Sequence, residues 1–180
     1  MKLIILTLAL ATIALAQDPL RPSVFSPSMS ADAYKQGSTV VNQKYYLDQE
    51  HKKLRIETYT GDALQIQINN SEENASYLVT YRGQGIECRK GPFQKEPYFD
   101  EATFSGLTFN SSVFLENKLV NSWNLEVPRL GKIVLDVDMT NNVPVRFGPA
   151  TSPVTFRNVL LHSPNKVLFE LSEQVKAFCQ

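Results

Sequence analysis

The chain has no surplus of charge, with 18 lysines and arginines against 18 aspartates and glutamates over 180 residues. Neutralising a phosphate backbone takes a basic excess, so no nucleic-acid partner is expected. Histidine is equally scarce. The two that exist, His51 and His162, lie beside polar turn residues, and zinc needs three or four ligands, so both read as solvated loop side chains. With only two cysteines there is no C-x-x-C pair. No G-x-S-x-G elbow, H-E-x-x-H helix, Walker loop or G-x-G-x-x-G fingerprint occurs either. A hydrolase is therefore the least favoured reading, and neither catalysis nor a cofactor is expected. Apolar runs long enough to cross a bilayer are missing after residue 16, so the chain beyond it is expected not to span a membrane.

What is present is an ordinary globular composition, 43% hydrophobic and 20% charged. Met1-Lys2 is a short positive start, residues 3–16 are apolar, and Ala14-Leu15-Ala16 is an A-x-A cleavage signal before Gln17. Residues 1–16 are thus expected to be a signal peptide, and the rest to be secreted or to occupy the lumen of the secretory pathway. Residues 17–30 hold Pro19, Pro22 and Pro27 and read as an extended N-terminal segment; residues 31–180 read as one domain. Three sequons fit the same route and mark Asn69, Asn74 and Asn110 as glycan acceptors. Cys88 and Cys179 are an even number in a secreted chain, and a disulfide between them would pin the C-terminal tail.

Hydrophobic periodicity is of the β type. Leu64, Ile66 and Ile68 alternate with glutamines, and Ile133, Leu135, Val137 and Met139 alternate with Asp136 and Asp138, which are expected to face water. Further strands are expected over 37–47, 53–60, 76–82, 103–109, 112–116, 118–126, 143–147, 155–162 and 167–171, giving about eleven. Helix is expected only near 97–103 and in 172–178, where Ser172-Glu173 opens a last turn. Polar turns and the lack of βα alternation point to an antiparallel meander that must curl. Its concave side is then either filled by its own side chains or left open for a ligand. Large rings cluster between Phe93 and Phe114 and serve equally as core or as pocket lining. Asp136-x-Asp138-x-Thr140-Asn141 starts like a calcium loop, but Asn141 and Phe147 stand where an EF-hand needs Gly and Glu. A solvated strand face is the favoured reading of these aspartates, a looser calcium site the alternative.

The order of landmarks carries a resemblance. Tyr45-Tyr46-Leu47-Asp48 is followed by Lys53-Leu54-Arg55-Ile56-Glu57, then by Tyr77-Leu78-Val79-Thr80-Tyr81, Cys88, the lone Trp123, Val143-Pro144-Val145-Arg146-Phe147, Phe156, Phe169-Glu170-Leu171 and Cys179. The series resembles the eukaryotic secreted LolA-like domain proteins, relatives of the ependymins and of the bacterial lipoprotein carriers LolA and LppX. Lys53 stands where the family pattern often has arginine, and the run from Leu171 to Cys179 is longer than the family's ending. The resemblance implies an open half-barrel of about eleven antiparallel strands, with short helices or loops closing a concave side suited to acyl chains. It also implies that Cys88 with Cys179 matches the family's late disulfide, and that Trp123, Pro144, Arg146 and Phe147 are framework positions.

On this reading the protein carries a lipid or another hydrophobic ligand. The expected wall residues, chosen by ring content and alternation, are Phe99, Phe104, Phe109, Phe114, Leu135, Val137 and Phe156. The rival reading is an ependymin-like adhesion or matrix glycoprotein without a ligand cavity, with calcium as a partner at Asp136 and Asp138.

Overall fold

The computed structural model describes residues 19–22, 25–26, 28–94, 104–127 and 131–180. Short turns with residues that tolerate positive φ bring each strand back beside its predecessor: Gly61 between β3 and β4, Gly83 between β5 and β6, and Glu116-Asn117 between β7 and β8. Eleven antiparallel strands result, joined in one open sheet. They are β1 (Met29–Lys35), β2 (Gln43–Asp48), β3 (Lys53–Thr60), β4 (Ala63–Asn70), β5 (Ala75–Arg82), β6 (Gly85–Pro92), β7 (Thr108–Leu115), β8 (Lys118–Val127), β9 (Gly131–Asp138), β10 (Pro144–Pro149) and β11 (Val154–Leu160).

The spatial order is β6-β5-β4-β3-β2-β1-β11-β10-β9-β8-β7. The chain starts at the centre, steps outward hairpin by hairpin to β6, resumes at the far edge with β7, and steps back inward until β11 pairs with β1. The sheet is a half-barrel, mainly β and not closed.

Each face of the sheet carries its own core. On the concave face, Met29, Ala31 and Ala33 of β1 meet Tyr45 and Leu47 of β2, Leu54 of β3, Phe156 of β11, Leu135 and Val137 of β9 and Trp123 of β8. Above them lie Phe25 from the N-terminal segment and Phe104 and Leu107 from the residues just before β7. The second core lies on the opposite face at the β4–β6 end. There Ile66, Ile68, Tyr77 and Val79 are covered by Phe169 and Leu171 of the C-terminal segment. That segment contains a 3-10 turn, η1 (Lys166–Phe169), and one helical turn, α1 (Glu173–Lys176), whose Ser172 cap accepts from the Val175 N–H. Arg55 donates to the Leu168 carbonyl at 2.9 Å, and the Cys88–Cys179 disulfide fastens the end.

The expected number of strands was met by compensating differences. β1 and β6 lay outside the expected set, Thr108 and Phe109 from the end of the expected 103–109 strand join 112–115 in one bulged strand while 104–107 lie outside it, and 167–171 is largely η1. β1 reads MSADAYK and β6 reads GIECRKGP, both poor in consecutive β-branched residues. Their pairing comes from neighbours. β1 also begins at Met29, inside the segment expected to precede the domain. The expected leader, residues 1–16, and the whole of 97–103, where a helix was expected, lie outside the described residues. Among the described residues no helix is long and apolar enough to cross a membrane.

Candidate functional site

Alternation places every second residue of a strand on one face, so the concave surface follows directly from the register. Over β8 to β11 and β1 to β3 that face is apolar and packed. Four of the expected wall residues, Phe104, Leu135, Val137 and Phe156, are buried in this one cluster. Phe109 packs against it, with its ring 5.5 Å from that of Trp123. Phe114 departs from the expectation: it is 73% exposed near the tip of the β7–β8 hairpin. The register keeps Phe114 on the Trp123 side of the sheet, but it pairs with the exposed Leu119 at the far end of the hairpin, beyond the packed rows of the core. Phe99 lies outside the described residues.

The sequence reading missed Phe25. It is 2% exposed, and its ring lies 5.0 Å from Phe147 and 6.0 Å from Phe156, edge to face in both cases. The available signal was a large ring in a short segment bounded by Pro22 and Pro27. Phe25, Phe104 and Leu107 together form a roof over the concave face, and none of the three belongs to a strand of the sheet.

Towards β4–β6 the same face turns polar. The rows run Ile56–Gln67–Leu78–Arg89 and Thr58–Gln65–Thr80–Glu87 across β3 to β6. Here lies a groove of about 490 Å³, lined by Gln65, Leu78, Thr80, Arg82, Glu87 and Arg89. The glutamines of β4 thus take the wet side expected of them, and Leu64, Ile66 and Ile68 face the C-terminal segment.

The convex face over β1 to β3 and β9 to β11 is charged in register. Glu57, Lys44, Asp32 and Arg157 alternate in sign along one row of β3, β2, β1 and β11. Arg157 holds Glu116 through two hydrogen bonds of 3.0 Å and stacks over Tyr34. The expected water-facing aspartates of β9 do point to this side, yet both are buried. Asp136 is 0% exposed and bound by Arg146 Nε at 2.5 Å. Asp138 accepts from the Thr140 N–H at 2.8 Å and lies 3.3 Å from Lys118 Nζ. With cations of the chain already on both carboxylates, the pair does not offer the calcium site considered from sequence. Among the described residues no three histidine, cysteine or acidic side chains converge on a metal position.

Burial alone would raise the Asp138 carboxyl, but the Thr140 N–H and the Lys118 ammonium outweigh it and hold its pKa below the ordinary aspartate value. A depressed folded pKa adds stability that is present above the unfolded value of about 3.9 and is lost as pH falls through the folded one. Asp138→Asn is therefore expected to shallow the loss of stability below about pH 4. Urea midpoints recorded over the acid range measure this, and identical acid limbs for both proteins would refute it.

The three sequons differ in access. Asn69 is 0% exposed, its Nδ2 donates to the Gln94 carbonyl at 2.8 Å, and its Oδ1 accepts from the Gln94 N–H. The atom that would carry a glycan is buried, which removes Asn69 from the expected acceptors. Asn74, in the β4–β5 turn at φ 47, and Asn110, on β7, are exposed.

No family model matches the chain, and no curated protein matches it. Among solved structures it is similar to one described as "Structure of PNGF-II in P21 space group", at 9% identity and a TM-score of 0.34. The match covers 85% of this chain and 33% of that one, so the chain spans about a third of the structure it matches. A likeness this weak says nothing about activity.

Proposed function

We propose that the protein is a secreted carrier of amphiphilic lipids that binds without catalysis. The acyl tail lies between the concave face and its roof, and the polar head lies in the groove at β4–β6. The observation that supports this is the change of chemistry along one face, from the packed apolar rows of β9, β11 and β1 to Gln65, Thr80, Arg82 and Arg89. A tail gains about 25 cal/mol for each Å² of apolar area buried, and Phe25, Phe104 and Leu107 are the side chains it must displace. The Cys88–Cys179 disulfide fits an oxidising compartment.

Organic extraction of protein purified from a eukaryotic secretory host, followed by mass spectrometry, is expected to release a stoichiometric amphiphile absent from a mock purification. An empty protein that also ignores a fluorescent fatty acid would overturn the proposal. Phe25→Ala is expected to cost about 3 kcal/mol of stability and to raise the probe's affinity, because the ring no longer competes for the concave face. Arg89→Glu is expected to weaken binding of the anionic probe about tenfold, or ~1.4 kcal/mol, while leaving a neutral probe of equal chain length unaffected.

A further inference from the structure

The two edges of the sheet are handled differently. β6 is covered in part by the C-terminus: the Lys90 N–H donates to the Gln180 carbonyl at 3.1 Å, the Gln180 N–H donates to the Cys88 carbonyl at 3.4 Å, and the disulfide holds both in place. Among the described residues β7 pairs only with β8, so its other side presents backbone donors and acceptors with no strand to meet them. A strand in that state recruits other strands unless something blunts it. Lysine and proline are the usual devices, and β7, reading TFNSSVFL, contains no charge and no proline. It also exposes Val113 and Phe114, which makes it more inviting to another chain.

β7 does have a bulge at Asn110, where the register slips between Phe109 and Ser111, and that residue opens the sequon Asn110-Ser111-Ser112. The Asn110 side chain is exposed and donates to the neighbouring Ser111 hydroxyl at 3.2 Å. We infer that an N-linked glycan on Asn110 guards this edge against strand pairing with a second copy of the chain. In its attachment the Asn110 amide nitrogen forms a bond to the anomeric carbon of a polyprenyl-pyrophosphate-linked oligosaccharide. The bond from that carbon to the pyrophosphate oxygen breaks, one amide proton is lost, and the lipid pyrophosphate leaves. A glycan at the bulge, on the third of the eight residues of β7, occupies space where a partner strand would lie.

The inference rests on the secretory part of the proposed function, and the test separates the two. Wild type, Asn110→Gln, Ser112→Ala and Asn74→Gln are expressed with the full chain in a eukaryotic host. Glycopeptide mass spectrometry reads occupancy, and size-exclusion chromatography with light scattering reads mass against concentration. The expected result is an occupied Asn110 and a monomer for wild type and Asn74→Gln, with a concentration-dependent shift to twice that mass or more for Asn110→Gln and Ser112→Ala. Adding Val113→Lys to Asn110→Gln is expected to restore the monomer, which general misfolding would not do. A secreted chain with a bare Asn110, or edge variants that stay monomeric, overturns the inference alone. A chain kept unprocessed in the cytosol overturns it together with the secretory reading.

Discussion

Replacing Cys88 and Cys179 by serine together is expected to lower the unfolding free energy by about 4 to 5 kcal/mol, the chain-entropy value for so long a loop. The two residues are 91 apart, so the cross-link removes a large set of unfolded conformations. The folded side also suffers, because α1 and the last residues hold to β6 through the disulfide and the two backbone bonds of Gln180. Phe169 and Leu171 remain seated on Ile66, Ile68 and Val79, so the segment is expected to loosen from its end inward. Thermal unfolding by circular dichroism should show a drop in Tm on the order of 10 °C, and hydrogen exchange should show protection lost first after residue 172. A variant with unchanged Tm would mean that the second core holds the C-terminus unaided.

Arg146→Met is expected to cost about 3 to 5 kcal/mol, because it leaves a fully buried carboxylate without its cation. Asp136 has no exposure, its Oδ2 is held by Arg146, and its Oδ1 has no hydrogen-bond partner among the described residues. Such a group depends heavily on one ion pair. The double variant Asp136→Leu with Arg146→Met should recover most of the loss, since desolvating two charges offsets much of what their attraction returns. Denaturant unfolding of the two single variants and the double variant completes the cycle. Additive losses would show that the pair does not act as a unit. In the structure the work of Arg146 is to neutralise Asp136.

Much of the sheet was readable from alternation. β3 and β4 were expected where they lie because Leu54 and Ile56, and then Leu64, Ile66 and Ile68, recur at period two between polar turns. Periodicity names which residues share a face; it does not say which face is covered by what. Ile66 and Ile68 face the C-terminal segment, while Leu135 and Val137 face the roof on the other side of the sheet. β9 shows the same limit: Asp136 and Asp138 take the side expected of them, yet the ion pairs that allow their burial come from Arg146 and Lys118 on neighbouring strands. Phe25 was missed for a related reason, since an irregular segment has no period and its burial depends on rings more than a hundred residues away. The disulfide was legible because two cysteines allow only one pairing.

The position of β1 has a consequence for how the chain is made. Its outer side pairs with β11, Ser30 lying opposite Leu160 about 130 residues later. During synthesis β1 to β6 can assemble by successive hairpins as they emerge, and so can β7 to β11, but the seam between the two halves must wait until almost the whole chain has left the ribosome. Until then the middle of the finished sheet is an open edge on a nascent chain. The strand that emerges first is completed last, and that interval is when a chaperone has most to protect.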